Sequence, residues 1–349
     1  MAFRVAASPR IGFGHLVRAI HLARALGVPP RVSIRGTIDA AETASRLGAE
    51  RLAGSIREVM RPGLGLLVID DPSRAAAEPW LRAAGRAGVA VASLHDVGLA
   101  PLPSDLAIDG SLGARRVHGL GRDVAACRLG PTFAVLSPDV VSRRRAPSEQ
   151  AGRAATIVIG LGGGRQARAG LTIARHLRIG LDCRPGLSRA RVLLSLGLGS
   201  GARLEGIGSL DGVAVIASPR FRAALARATV AVVAGGTTLY EACALGTPVV
   251  AVPVVAGQAT TVRRFVRAGL AVGTGPLRGV AVGSARWARA AADAALDLLA
   301  DARRREVMAR RGQAVIDGRG AERVAQAIRA VLAAAQRTTM TNTRTRMQP

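Results

Sequence analysis

The chain has 349 residues, enough for two domains with a core each, and 49% of them are hydrophobic, which excludes a disordered protein. Its formal net charge of +26 rests on arginine alone, for the sequence has no lysine, and only 2% of residues are aromatic, too few for a base-stacking platform. Arginine accompanied by heavy alanine and glycine use reads as a bias toward G- and C-rich codons rather than a cationic surface, so no nucleic-acid partner is expected, and membrane association is not expected either.

In chain order, residues 3–7 predict a short strand. A helix follows over 14–26, where Leu16, Ile20, Leu22, Ala23 and Leu26 recur at helical spacing. Between them lies the turn Ile11-Gly12-Phe13-Gly14-His15. Gly12 and Gly14 leave the surroundings of His15 open, and the positive end of the helix favours a neutral imidazole, the form a general base requires. The competing reading is a structural histidine at a helix start. Residues 65–70 form an apolar run ending in Asp70, the pattern of a buried parallel strand, and 89–94 repeat it with His95-Asp96 at the end. A polar, basic stretch over 142–153, with Pro147 and Gly152, predicts an interdomain linker.

The alternation then restarts. A strand over 156–159 runs into the glycines of 160–164, whose spacing misses the dinucleotide pattern and is equally that of a tight turn. Further strands are predicted at 192–196, 213–216, 230–234 and 249–253, then helices over 284–335 and a frayed polar tail over 336–349. Strands alternating with helices in both halves predict an α/β protein with two doubly wound sheets, one in residues 1–145 and one in 155–335, ligands lying at the carboxyl ends of the strands.

Gly235-Gly236-Thr237-Thr238 follows the strand 230–234 and opens a helix. Glycines allow close backbone approach, and N–H groups at a helix start favour phosphate oxygens, while Glu241 one turn on can accept from a ribose. Equally, Thr237 can cap the helix and Glu241 complete a capping box. The longest apolar stretch, 230–255, is broken by these glycines, Glu241, Gly246 and Pro248, so no membrane span is predicted. Arg4 and Arg10 interrupt any signal-peptide core, which implies a cytoplasmic protein. Cys127, Cys183 and Cys243 lack metal-ligand spacing and are expected to be buried, reduced thiols, with no metal site.

Residues 4–18, Arg-Val-Ala-Ala-Ser-Pro-Arg-Ile-Gly-Phe-Gly-His-Leu-Val-Arg, resemble the N-terminal signature of the UDP-2,4-diacetamido-2,4,6-trideoxy-β-L-altropyranose hydrolases of pseudaminic acid biosynthesis. Val68-Ile69-Asp70-Asp71 and Leu129-Gly130-Pro131-Thr132-Phe133-Ala134-Val135-Leu136 are similar to internal landmarks of that family, and residues 159–164 to the start of its second domain. Residues 234–241, Leu245-Gly246-Thr247-Pro248 and Gly257-Gln258 resemble its nucleotide half, shared with the lipid II N-acetylglucosaminyltransferase and the wider GT-B superfamily.

The resemblance implies a GT-B fold, two Rossmann-like domains facing across a cleft, and a hydrolysis without metal or cofactor for flagellin or surface-glycan modification. Water attacks the anomeric carbon with inversion and UDP leaves. His15 matches the catalytic histidine. Gly12, Gly14, Arg18, Asp70, Gly163 and Gln258 are implied in substrate binding, and Gly235, Gly236, Thr237, Thr238 and Glu241 in nucleotide binding. The chain departs from the pattern at Ala6, where an aspartate is usual, at Asp71-Pro72, which displace a tyrosine, and at His95-Asp96, which replace a double aspartate. These departures keep two alternatives open: a GT-B glycosyltransferase with a separate acceptor, and a non-catalytic nucleotide-sugar binding protein.

Overall fold

The computed structural model describes residues 1–8, 10–52, 54–96, 102–115, 124–144, 154–163, 166–198, 211–274 and 280–346. Most of the expected linker over 142–153, and Gly164, lie outside them. The chain forms two compact units, residues 1–138 with 319–349, and residues 139–318.

The first unit holds β1 (Ala2–Ala7), α1 (Gly14–Leu26), β2 (Arg31–Gly36), α2 (Ile38–Arg46), β3 (Glu50–Arg51), α3 (Ile56–Val59), β4 (Leu66–Asp70), α4 (Arg74–Ala87), β5 (Ala90–His95), β6 (Ser104–Asp109) and β7 (Val124–Leu129). Its sheet has the order β3-β2-β1-β4-β5-β6-β7, with parallel pairings throughout. β1 and β4 are buried along their whole length, as expected of central strands covered on both faces. On one face Leu67, Ile69 and Val91 pack with Val59, Ala77, Trp80 and Ala84 from α3 and α4. The β1 residue Arg4 is buried here too, its guanidinium 4.6 Å from the Trp80 ring centroid and donating to Ser33 Oγ at 3.1 Å.

The second unit opens with α5 (Asp139–Ser142) and continues through β8 (Thr156–Gly160), α6 (Gln166–Asp182), β9 (Arg191–Ser195), β10 (Val213–Ile216), α7 (Ser218–Arg227), β11 (Val230–Ala234), α8 (Thr237–Leu245), β12 (Val249–Val252), α9 (Gln258–Arg267), β13 (Val272–Gly273), α10 (Ala285–Ala300) and α11 (Ala302–Val315). The sheet order, β10-β9-β8-β11-β12-β13, repeats that of the first unit about its own first strand. The glycines after β8 have a packing reason. A β-carbon on Gly163 would lie 1.7 Å from the Leu198 carbonyl oxygen, and one on Gly197 2.3 Å from the Gly162 carbonyl carbon, so two backbones run in direct contact.

The last helix, α12 (Gly320–Arg346), packs with the first unit. The sequence-based boundary assigned residues up to 335 to the second domain, but periodicity shows only that a helix has an apolar face and not which core receives it. Val324 and Ile328 of α12 are fully buried, and Arg329 donates to the carbonyls of Ala25 and Leu26 at 3.1 and 3.2 Å, a cation on the negative end of α1. The tail expected to fray from residue 336 is helical to Arg346, no glycine or proline intervening. Of the thiols only Cys243 is buried, with burial pushing it up to about 12, while Cys127 is half-buried and Cys183 exposed; all three are free. Among the described residues no helix is long and apolar enough to cross a membrane.

Candidate functional site

In each sheet the strand order reverses direction between the first and fourth strands of the unit, and in open α/β sheets the carboxyl ends at such a switch are where ligands bind. In the first unit this switch lies between β1 and β4, the positions from which His15 and Asp70 are presented.

After β1 the chain makes a closed turn: Ser8 and Gly12 exchange backbone hydrogen bonds at 3.3 and 2.7 Å, and the Ile11 N–H donates to Ser8 Oγ at 3.1 Å. Gly12 has φ +90°, a left-handed backbone that side-chain-bearing residues rarely adopt. Its part is thus to turn the chain so that α1 begins at Gly14 with His15 second in the helix, the N-cap Phe13 giving no side-chain cap. His15 Nδ1 lies 2.7 Å from Oδ1 of Asp70, the last residue of β4, and the two side chains are 15% and 1% exposed. Arg18 Nη2 also lies 3.2 Å from Nδ1, but the carboxylate, which only accepts, is the nearer partner, so the proton is assigned to Nδ1 and the Nε2 lone pair is left as the basic site of the ring.

Arg18 follows His15 by three residues, on the same helix face. Its Nε donates to Asp70 Oδ2 at 2.7 Å, one terminal nitrogen to Asp70 Oδ1 at 2.6 Å and Asp96 Oδ2 at 3.2 Å, the other to Asp96 Oδ1 at 2.7 Å. Burial would push the Asp70 carboxylate, and more weakly the half-exposed Asp96 one, toward neutrality, but Arg18, aided by His15, overrides it and holds both below the usual carboxylate range. Burial likewise opposes a charge on His15, yet the Asp70 carboxylate outweighs it and raises the imidazole pKa above its ordinary value. The helix end, expected to keep this imidazole neutral, is therefore overruled by a carboxylate in contact with it. His95, beside Asp96, behaves oppositely: it is buried, its Nε2 is 2.8 Å from Ser93 Oγ, and burial lowers it to about 4.

The structure thus brings Gly12, Gly14, His15, Arg18 and Asp70 together, but with altered roles for two of them. Arg18 and Asp70, implied as substrate ligands, spend their polar atoms on one another, on His15 and on Asp96. Asp96 was not among the expected site residues. The signal for it was its place just past the end of a buried strand next to the switch.

The remaining residues belong to the second unit. Gly235 and Gly236 follow β11 at the second switch, beside β8. Their own N–H groups are used, donating to the carbonyls of Val252 at 3.2 Å and Ala234 at 2.8 Å. The helical N–H groups without an intrahelical acceptor are those of Thr237 and Thr238, at the start of α8. The capping box does not form, because Gly236 is the N-cap and no side chain caps it. Gln258, at the start of α9, backs this loop: a β-carbon on Gly235 would come within 3.0 Å of the Gln258 β-carbon, and Gln258 Oε1 accepts from the Val254 N–H at 3.0 Å. Glu241 is buried in α8 and accepts from Arg222 Nε at 3.2 Å, Arg222 also reaching Asp139 at 3.3 Å. Gly163 is in the loop after β8, explained by its contact with Leu198. Among the described residues no group of three or more His, Cys, Asp or Glu side chains gathers as a metal site.

No protein-family model matches this sequence, and no curated protein is detectably similar to it. Solved structures are similar in fold. The calicheamicin glycosyltransferase CalG4 is 18% identical with a TM-score of 0.59, covering 95% of this chain and 98% of its own. MurG of Acinetobacter baumannii is 14% identical with a TM-score of 0.61, covering 94% and 99%. The spinosyn rhamnosyltransferase SpnG is 14% identical with a TM-score of 0.59, covering 95% and 100%. At these identities the likeness is one of fold, and the fold is of the GT-B type.

Proposed function

We propose that the protein is an inverting glycosyltransferase that takes a sugar from a UDP donor, with His15 as general base. The observation that carries this reading is the His15–Asp70 pair at the switch point of the first sheet: a carboxylate on Nδ1 fixes the tautomer, raises the basicity of the ring and commits Nε2 to the reaction. His15 Nε2 takes the proton of an acceptor hydroxyl as that oxygen bonds to the anomeric carbon. The bond from that carbon to the diphosphate oxygen breaks, and UDP leaves with the electron pair. In the second unit, the N–H groups of Thr237 and Thr238 and the start of α8 meet the diphosphate charge, with Gly235 and Gly236 giving it access. Gln258 supports the loop, while Glu241, buried and paired with Arg222, is left out of the ribose contacts. That glycosyltransferases recur among the similar folds supports transfer to an acceptor.

The second reading, hydrolysis of a UDP-linked diacetamido-trideoxy sugar for a nonulosonic acid, is favoured by the resemblance of residues 4–18. It uses the same base on water. UDP release from a panel of UDP-sugars, with and without hydroxyl acceptors, separates the two. Release that requires acceptor supports transfer. Acceptor-independent release from the altrose-type substrate establishes hydrolysis instead, and UDP binding without turnover of any donor leaves only a binding protein. In the same assay His15→Ala abolishes turnover while UDP affinity by calorimetry stays within about twofold; parallel loss of both would place His15 in nucleotide binding.

A further inference from the structure

Arg18 has five N–H groups to place, and four of them are spent on two carboxylates, those of Asp70 and Asp96. A guanidinium so committed has little left for a ligand. Asp70 is correspondingly divided, its Oδ1 shared by His15 and Arg18 and its Oδ2 taken by Arg18 Nε. The side-on contact fixes the carboxylate plane, which a single bond to His15 would leave free to rotate. Arg18 also lies between two carboxylates at the ends of adjacent strands that would otherwise repel each other. The one-turn spacing on α1 delivers the base and its brace on the same rigid element.

We propose that Arg18 and Asp96 are positioning residues: Asp96 tethers Arg18, Arg18 locks the Asp70 carboxylate, and Asp70 sets the tautomer and direction of His15. This rests on the reading of His15 as the general base, and it removes Arg18 from the set of substrate ligands.

The test uses the full chain labelled with ¹⁵N-histidine, whose five histidines are few enough for His15 to be assigned by its loss in His15→Ala. Wild type is expected to show His15 in a single Nδ1–H tautomer before protonation. Asp96→Asn and Arg18→Gln are expected to populate both tautomers and to move the His15 titration in opposite directions: downward when the attracting Asp96 anion is lost, upward when the repelling Arg18 cation is lost. An unchanged tautomer in both variants overturns the proposal. Should Arg18→Gln fail to fold, Asp96→Asn carries the test, since that carboxylate is 48% exposed and its loss leaves Arg18 paired with Asp70. On substrate, both variants are expected to lose about tenfold to a hundredfold in kcat with donor KM within about twofold, the signature of a misplaced base. A tenfold rise in KM at unchanged kcat makes Arg18 a substrate ligand and also overturns it. If wild type turns over no UDP-sugar, the proposed function fails, yet the tautomer measurement still decides whether Arg18 and Asp96 set the imidazole.

Discussion

An aspartate at the end of a fully buried strand would ordinarily be driven toward its neutral form, yet Asp70 is held as an anion by Arg18 and His15. Asp70→Asn therefore removes the charge that raises His15 and turns one of the two accepting oxygens into an NH2 donor, so that His15 and Arg18 no longer both find an acceptor. Turnover is expected to fall by about 10³- to 10⁴-fold, the cost of releasing a catalytic imidazole into the wrong tautomer. In wild type the neutral imidazole that a base requires predominates only above a pKa raised over the ordinary 6.5, so the acid limb of the pH–kcat/KM profile lies above that value and moves down in the variant. A loss below tenfold with an unmoved limb would separate Asp70 from the base. His95 yields a stability prediction. Its folded value of about 4 lies below the 6.5 of the unfolded chain, so the unfolded state binds more protons and stability falls as pH drops through that window, by about 3 kcal/mol. His15 has the opposite sign, adding stability below 6.5 that is lost as pH rises through its raised folded value. The difference between wild type and His95→Gln isolates the His95 part: urea midpoints at pH 7 and pH 4 should converge more closely in the variant.

Among the elements, β4 and β11 are legible from sequence because a parallel strand covered on both faces is a near-continuous apolar run. β2 is not, since Arg31-Val-Ser-Ile-Arg-Gly carries arginines at its first and fifth positions and is buried only at Val32 and Ser33. Of the candidate site, His15 could be read from its glycine-flanked turn. Its partnership with Asp70 and Arg18 could be named only as separate ligands, because contact between a helix start and the end of a strand fifty-five residues away follows from strand order and leaves no local pattern. The loop into α8 makes its own prediction. A β-carbon at Gly235 would sit 2.7 Å from Val262 Cγ2 and 3.0 Å from the Gln258 β-carbon, whereas one at Gly236 meets only Gln258 Nε2 at 3.7 Å. Gly235→Ala must push α9 or the loop aside and should weaken UDP binding about tenfold, a strain of roughly 1 to 2 kcal/mol. Gly236→Ala should be tolerated to within about threefold unless the ligand itself needs that space. Calorimetric titration of both variants with UDP ranks them.

For the whole molecule, the doubled architecture is visible as two series of alternating strands and helices, while the division of the C-terminal helices between the units is not, because an amphipathic helix does not name its partner. Ile328 of α12 is fully buried within the first unit. Ile328→Ala is expected to cost about 2 to 5 kcal/mol there. Amide exchange should quicken in β1 and α1 and stay unchanged in β8 and β11; uniform quickening would mean that the two units unfold as one.

The placement of α12 also has a consequence for the order in which the protein is made. Residues 139–318 emerge from the ribosome as an uninterrupted stretch with everything their sheet requires. The unit that carries His15, begun first, lacks a covering helix until residues beyond 318 have been synthesised. Its sheet must wait, partly uncovered, while the later unit is translated and free to fold. His15 thus gains its finished surroundings only after the second unit has been made, and a ribosome that stalls before Gly320 releases a folded second unit attached to an unfinished first one.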